Sequence, residues 1–524
     1  MSNAHGPAVS EGACPIAISA QGSAAPAVAP QIGTAVPGAA VPLMGSADHG
    51  PGRLVGSTAP RSGGCDIGPA SWEPSAAGDA VGAGPGPGRV ARPLTPEDLS
   101  ILALENETVA GHTCMVMVLR GTLGLDALRS SIAGRLHRAP ELGLRLGEIG
   151  GEPWWVPDPQ LNLSAHVVQP DQPGACDEAG FTATVARIFE QRLDRSRPLW
   201  RIDVIPQLAG GRSALIWRIH HALADGWTAM RMASAVLWDA EADDEPGAAG
   251  PDRRQRAPGP GNPVTHHRLG WLRAAVREAP RPWLRSPFNG HIGARRTVAL
   301  ASVELDRLRR VARAADGATV NDAVLTVVAG GLRRWLDAHH GHLGAVRVKV
   351  PVSLHNLLPG DHGSPPGNRD SFFCLDLPLG SADPFERLSG IRRATRVRKH
   401  GHDAQHLDAL LRRLARVPRL RQFAERVLAH PRSFALNVSN VPGPRQPVRV
   451  VGVPVHALYS LAEIRSYHAL RVAVISLAGT LYFGLVADPT LLANVDHLAR
   501  DMEAEAAALI AHLPHSRQTP PVLR

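Results

Sequence analysis

The sequence predicts an α/β protein with two mixed α/β domains of similar size. Three observations carry this expectation. Apolar runs with strand-like alternation trade places with amphipathic, helix-like stretches through both halves of the chain. A crossover full of Pro, Gly and Arg lies between those halves. Finally, 44% of the 524 residues are hydrophobic and 20% charged, which supports a sizeable core and excludes wholesale disorder.

The elements follow in order. Residues 1–90 are rich in Ala, Gly, Pro and Ser and close on the run AGPGPG, so they read as a disordered tail with too little apolar area to offset its ordering entropy. Order begins near Pro93, where Thr95 is placed to cap a helix opening on Pro96-Glu97-Asp98. A first domain over 91–245 is expected to hold a strand at 112–119, a helix around 126–137, a strand at 213–221 and a helix over about 226–238. The crossover occupies 246–292. A second domain, 293–515, is expected to hold helices at 305–315 and 320–339, a strand at 346–352 and a hairpin over 471–487. Ala478-Gly479-Thr480 splits that last apolar run into two strands and argues against a membrane span.

Charge is unevenly spread. Of 56 basic residues, 54 are arginine, and lysine occurs only at 349 and 399. Residues 391–432 carry twelve basic against three acidic side chains, an excess as large as the +9 of the whole chain. Leu407, Leu410, Leu411 and Leu414 recur there at helical spacing. The plain reading is a solvated face on a core-packed helix; the sharper one is a surface for anionic lipid or for a ligand's phosphates. Nucleic acid is not expected as a partner, because the basic residues are not interleaved with aromatics and no binding motif accompanies them. Cys14, Cys65, Cys114, Cys176 and Cys374 are odd in number, scattered and without a CxxC pair, which fits a reducing compartment. The uncharged stretch 12–47 is broken by five prolines, so neither a secretory signal nor a spanning helix is expected and the protein reads as soluble.

The chemistry sits in SALIWRIHHALADGW, residues 213–227. A buried strand ends at His220-His221, Asp225 stands where the next helix starts, and Gly226 relieves the backbone. Consecutive strand residues point to opposite faces, so only one of the two histidines can face a given cleft. An imidazole with an intrinsic pKa near 6.5 is suited to taking a proton from a hydroxyl. Ordinary roles stand beside this one: Asp225 as an N-cap, His220 as a core histidine. No metal is expected, since HExxH spacing and an obvious third ligand are both missing. His339, His340 and His342 read as a surface cluster after a helix.

The chain resembles the bacterial wax ester synthase/diacylglycerol acyltransferase family, within the wider HHxxxDG acyltransferases, over about 91–512. Pro93–Asp98 resembles the family's opening PLSPxD, and Arg197-Pro198-Leu199-Trp200 its RPLW ahead of His220–Gly226. Ser286–Gly290 with Arg295-Arg296 is similar to its LN…R segment. Thr319–Leu325 is similar to its TVND helix start, Val350–Leu354 to its PVSL strand, Asn368-Arg369 to its GNR element and Asn437–Pro444 to its NxxNVPGP turn.

The resemblance implies two domains of the CoA-dependent acyltransferase type with the active site between them, and an O-acyltransferase moving a fatty acyl group from acyl-CoA to diacylglycerol or a long-chain alcohol. It makes His221 the base, with His220, Asp225 and Gly226 completing the motif. It places Asn321 and Asp322 near the cleft, where a helix cap is the competing role. It gives Pro198, Leu199, Trp200, Asn440, Pro442 and Gly443 a part in shaping the pocket. Trp227 is bulky where the family carries small residues, which bears on the acceptor. No cofactor is implied beyond acyl-CoA as co-substrate. Location is expected to be cytoplasmic, with peripheral contact at the inner membrane or lipid inclusions. Two other functions fit the motif: a condensation-type acyltransferase using carrier-bound acyl groups, and a catalytically inactive lipid-binding homologue.

Overall fold

The computed structural model describes residues 90–171, 176–239, 268–281, 286–354, 370–414 and 430–512, with 419, 424, 426 and 427 between the last two stretches. The expected tail, most of the crossover and residues 355–369 lie outside the described residues. Twelve strands make two six-stranded sheets. The first half of the chain contributes β1 (His112–Leu119), β2 (Val167–Val168), β3 (Trp200–Leu208) and β4 (Arg212–His220). The second half contributes β5 (Thr297–Glu304), β6 (Ala345–Ser353), β7 (Asp370–Pro378), β8 (Leu436–Val441), β9 (Arg449–Val450), β10 (Val453–Ala462), β11 (Leu470–Leu477) and β12 (Thr480–Ala487).

The sheets do not respect the division at 246–292. The first runs β9-β10-β1-β4-β3-β2 and the second β7-β6-β8-β11-β12-β5. Residues 449–462, assigned by sequence to the second domain, therefore complete the first sheet. The reason is the edge of β1: β10 pairs with it antiparallel from Val455↔Leu119 to Ala462↔Thr113, and Thr113 adds a side-chain bond to the Leu461 carbonyl. With β10 on one side and β4 on the other, β1 is central. Its near-continuous apolar run is what a strand covered on both faces requires.

The sheets meet where β10 crosses β12. A Cβ on Gly484 would fall 2.1 Å from the Ser460 carbonyl oxygen, so only glycine permits this approach. The far face of the second sheet packs on the helices Val320–His339 and Val495–Ala511. Thr319 and Asp322 form a capping box at the start of the former, as Thr95 and Asp98 do for Pro96–Leu102.

The basic segment begins in the helix Pro384–His400 and continues in Asp403–Leu414. Leu407 joins a small buried cluster with Phe372, Cys374 and Phe434, and Leu411 packs against it. Arg412 and Arg413 are exposed, the former paired with Asp408. No helix among the described residues is long and apolar enough to cross a membrane.

Candidate active site

His220 closes β4 at 1% exposure. Its Nδ1 accepts the Ala222 N–H at 3.1 Å. Nε2 therefore carries the proton, and it lies 3.3 Å from Glu105 Oε2. Burial alone would raise the Glu105 carboxyl, but hydrogen bonds from His220 and Arg195 outweigh it and hold the group below its usual range.

His221 has different company. It follows Trp217 and Ile219 on one face of the strand, whereas His220 follows Ile216 and Arg218 on the other. Its backbone N–H donates to the Gly111 carbonyl at 3.0 Å. Its ring lies in the field of Arg471, Arg465 and Asp225. Burial first, then the two arginines, lower its pKa to about 4; Asp225 and the residue's own backbone carbonyl pull the other way.

Asp225 is fully buried and has the extended backbone of an N-cap. Its Oδ1 accepts the Thr228 N–H at 2.7 Å, starting the helix Gly226–Val236. It thus caps the helix and sets the charge beside His221 at once. Gly226 lets that helix start abut the second sheet: a Cβ there would sit 3.0 Å from Val441 Cγ2. Beside this contact lies a narrow space of about 20 Å³ between the sheets. Met115, Trp217, Ile219, Met230, Val441 and Ile475 give it an apolar lining, with Thr113 and Ser460 as polar groups. Trp217 and Ile219 belong to the same strand face that leads to His221.

The remaining nominated residues divide. Asn440 Nδ2 reaches Asn321 Oδ1 at 3.5 Å, so those two are brought together across the second half. Asp322 is 2% exposed; one oxygen serves the cap at Thr319 and the other accepts from Thr395 at 2.7 Å. Gly443 N–H donates to Ser476 Oγ, while Pro442 is exposed. Pro198, Leu199 and Trp200 lie behind the motif and do not line the cavity. The Leu199 carbonyl accepts the His220 N–H, and Trp200 bonds Leu142 and stacks on His166. Trp227 is 37% exposed. His339, His340 and His342 are exposed at a helix end, the first two packed on Trp335.

Several residues were missed by sequence. Arg296 and Glu463 form a buried pair at 2.9 Å, and Glu463 also accepts the Ala110 N–H, next to the Gly111 that holds His221. Asn289 donates to the carbonyls of Phe434 and Tyr467 and lies 3.1 Å from His468 Nδ1, which fixes the turn carrying Arg465. Asn289 and Arg296 did stand in the LN…R match, which was the available signal. Lys349, Arg465 and Arg471 gave none beyond the rarity of lysine.

Two mixed α/β sheets with a histidine motif at their junction define an acyltransferase-type fold, and comparison with known proteins gives the family. The catalytic-domain profile of wax ester synthase/diacylglycerol acyltransferase matches residues 94–281 and 265–324, and the C-terminal-domain profile of the same family matches 366–509. The chain belongs to this family. A Mycobacterium tuberculosis protein bearing the name diacylglycerol O-acyltransferase is 31% identical over 427 residues, covering 74% of this chain and 83% of the relative. A second from that organism is 29% identical over 411 residues, covering 74% and 88%. Among solved structures, a wax ester synthase/diacylglycerol acyltransferase from Marinobacter aquaeolei matches with a TM-score of 0.59 at 24% identity, covering 80% of this chain and 98% of that one. The first condensation domain of the CDA synthetase matches at 0.50 and 18%, covering 81% and 97%. Both likenesses concern the fold.

Proposed function

We propose that the protein moves a fatty acyl group from acyl-CoA to the hydroxyl of a diacylglycerol or a long-chain alcohol. The reading is supported by His221, whose pKa is lowered to about 4 so that it is unprotonated at neutral pH, and by the apolar cavity lined by Trp217 and Ile219 of the strand that leads to it. A neutral imidazole carries one ring N–H and one ring lone pair, and the lone pair is what accepts the substrate's proton. As the hydroxyl oxygen attacks the thioester carbonyl, His221 takes the hydroxyl proton. The tetrahedral adduct then expels the CoA sulfur, which receives that proton, leaving an ester and free CoA. Asp225 holds the helix start and favours the imidazolium that forms. The names of the mycobacterial relatives support the acceptor class.

Peripheral contact with a lipid surface belongs to the same reading. It is supported by the helix Arg268–Glu278, which exposes Trp271, Leu272 and Val276 beside Arg273. The test of function is purified protein with palmitoyl-CoA and either 1-hexadecanol or diolein, products resolved by chromatography. Wax ester or triacylglycerol formed with equal CoA release is the expected result. Folded protein that releases no CoA with either acceptor overturns the reading and leaves the inactive lipid-binding homologue.

A further inference from the structure

The helix Arg268–Glu278 turns an apolar face outwards. Gly270, Ala274 and Glu278 recur every fourth residue and face inwards. A Cβ on Gly270 would meet the His406 ring at 2.8 Å, Ala274 is fully buried, and Glu278 accepts the Cys374 N–H at 2.9 Å. Arg277 adds an ion pair to Asp403 at 2.8 Å, which fixes the helix on its neighbour Asp403–Leu414. On the opposite side Leu272 and Val276 are 48% and 68% exposed, and Trp271 beside them is 38% exposed.

The exposed charges around this ridge have one sign. On the two helices they are Arg273, Arg412 and Arg413, while the acids Glu278, Asp403 and Asp408 are buried or half-buried and paired with arginines. Arg413 lies on the stripe of His406 and Leu410, the side of its helix turned to Gly270.

The same platform borders the cleft. Leu407 packs with Phe372, Cys374 and Phe434. Phe372 and Cys374 are in register with Pro351 and Lys349, Lys349 is in register with Asn437, and Asn437 stands four residues before Val441 of the cavity wall. Residues paired in register share a face, so the helices sit on the cavity side of the second sheet, at its β7 edge. Cys374 and Val441 are about 10 Å apart across the strands and about 13 Å along them. On the intervening strand Lys349 and Pro351 are half-buried and Ser353 is exposed, so this part of the face meets solvent.

We propose that this platform docks on an anionic lipid bilayer, and that the acyl acceptor passes from the bilayer into the cleft along the β7 edge of the second sheet. Trp271, Leu272 and Val276 enter the boundary between headgroups and acyl chains with their helix lying flat, and the arginines meet the lipid phosphates. Diacylglycerols and long-chain alcohols dissolve in a bilayer and hardly at all in water, so a protein in water meets them at such a surface. The separation of platform and cavity compares with the hydrocarbon depth of one leaflet, roughly 15 Å. An acceptor can therefore reach the cavity without its chains crossing bulk water. The inference rests on the acyl-transfer reading and adds no chemical step; docking acts on the apparent KM for the acceptor.

The experiment uses the full chain with vesicles of phosphatidylcholine, alone or with about one-third phosphatidylglycerol. Binding is read by co-sedimentation. Turnover with palmitoyl-CoA is read on diolein held in the vesicles and on dihexanoylglycerol dissolved in water. Wild type should bind the anionic vesicles at least ten-fold more tightly, and the preference should fade between 0.1 and 1 M salt as the Debye length drops from about 10 to about 3 Å. Trp271→Ser with Leu272→Ser should weaken vesicle binding at least ten-fold and lower kcat/KM for vesicle diolein by a similar factor. Its rate on dihexanoylglycerol should stay within two-fold of wild type. Arg412→Glu with Arg413→Glu should abolish the preference for anionic vesicles.

Wild-type protein that binds neither vesicle, or a serine variant that binds like wild type, overturns the docking surface. A serine variant that loses binding yet keeps its turnover of vesicle diolein overturns the acceptor route, as do equal losses on the two acceptors. A wild-type dimer that the serine variant makes monomeric, with no vesicle binding by either, makes this face a contact between copies and overturns the proposal. Vesicle binding as expected, with no product from either acceptor, sinks the acyl-transfer reading and leaves the docking surface standing.

Discussion

Gly226 and Val441 touch across the two sheets: a single added carbon on Gly226 would come within 3.0 Å of Val441 Cγ2. This contact is also a wall of the apolar cavity. Gly226→Val should therefore overpack the junction, at a cost of about 1–3 kcal/mol. Activity on long-chain substrates should fall further than activity on short ones. Rates with palmitoyl-CoA and butyryl-CoA, beside the melting temperature, check this; equal losses for both would detach the cavity from substrate binding.

The two histidines should fail differently. His221→Ala removes the proton acceptor and should lower kcat by roughly 10²–10⁴ in a folded protein. His220→Ala leaves the Glu105 carboxylate without the Nε2 group 3.3 Å from it and opens space at the end of β4, so its main effect should be on melting temperature. Glu105→Gln should resemble His220→Ala. A folded His221→Ala enzyme with wild-type turnover would contradict the assignment.

The acid limb of the pH–rate profile is a third test. The base must be unprotonated, so activity depending on His221 should be constant through neutral pH and fall as pH drops towards about 4. Arg471→Met removes a cation that disfavours the imidazolium, so protonation becomes easier and the limb should move upward, towards 6.5. A limb already at 6.5 in the wild type would mean that neither burial nor the arginines act on this ring, and an unmoved limb in Arg471→Met would remove the arginine's part alone.

Asp225 separates capping from charge. Asp225→Asn keeps an oxygen for the Thr228 N–H and should cost little stability, yet should lower kcat because the imidazolium loses its neighbouring carboxylate. Asp225→Ala loses both and should cost a further ~1 kcal/mol. If Asn is fully active, the residue is a cap alone.

The Arg296–Glu463 pair tests what holds the turn beside His221. Removing one partner strands a buried charge, so Arg296→Met should cost about 3–5 kcal/mol. The double variant Arg296→Met with Glu463→Gln should recover part of that loss. Thermal unfolding of the three variants measures the coupling.

Local pattern made many elements legible. The helix Val320–His339 carries its cap in Thr319 and Asp322, and the hairpin of β11 and β12 carries its turn in Ala478-Gly479. The split of His220 from His221 followed from strand alternation alone. What escaped detection depends on pairing. Nothing in VPVHALYSLA says that β10 joins β1 on the side away from β9 instead of pairing with β11, since antiparallel edges accept many partners. Likewise Lys349, Asn437 and Arg471 lie far apart in sequence, and only sheet register sets them side by side. The position of Leu199 and Trp200 behind the motif was equally hidden, because packing depth leaves no mark in a four-residue match.

The loan of β9 and β10 to the first sheet has a consequence for synthesis. When the ribosome has completed β4, one edge of β1 is still open, and its partner in β10 lies more than 300 residues downstream of β1. An apolar strand with an unsatisfied edge is a template for aggregation. The amino-terminal half should therefore be a poor autonomous folding unit, and truncations ending before residue 462 should be recovered with chaperones or in inclusion bodies. The chain must wait for nearly its whole length before its first sheet can close.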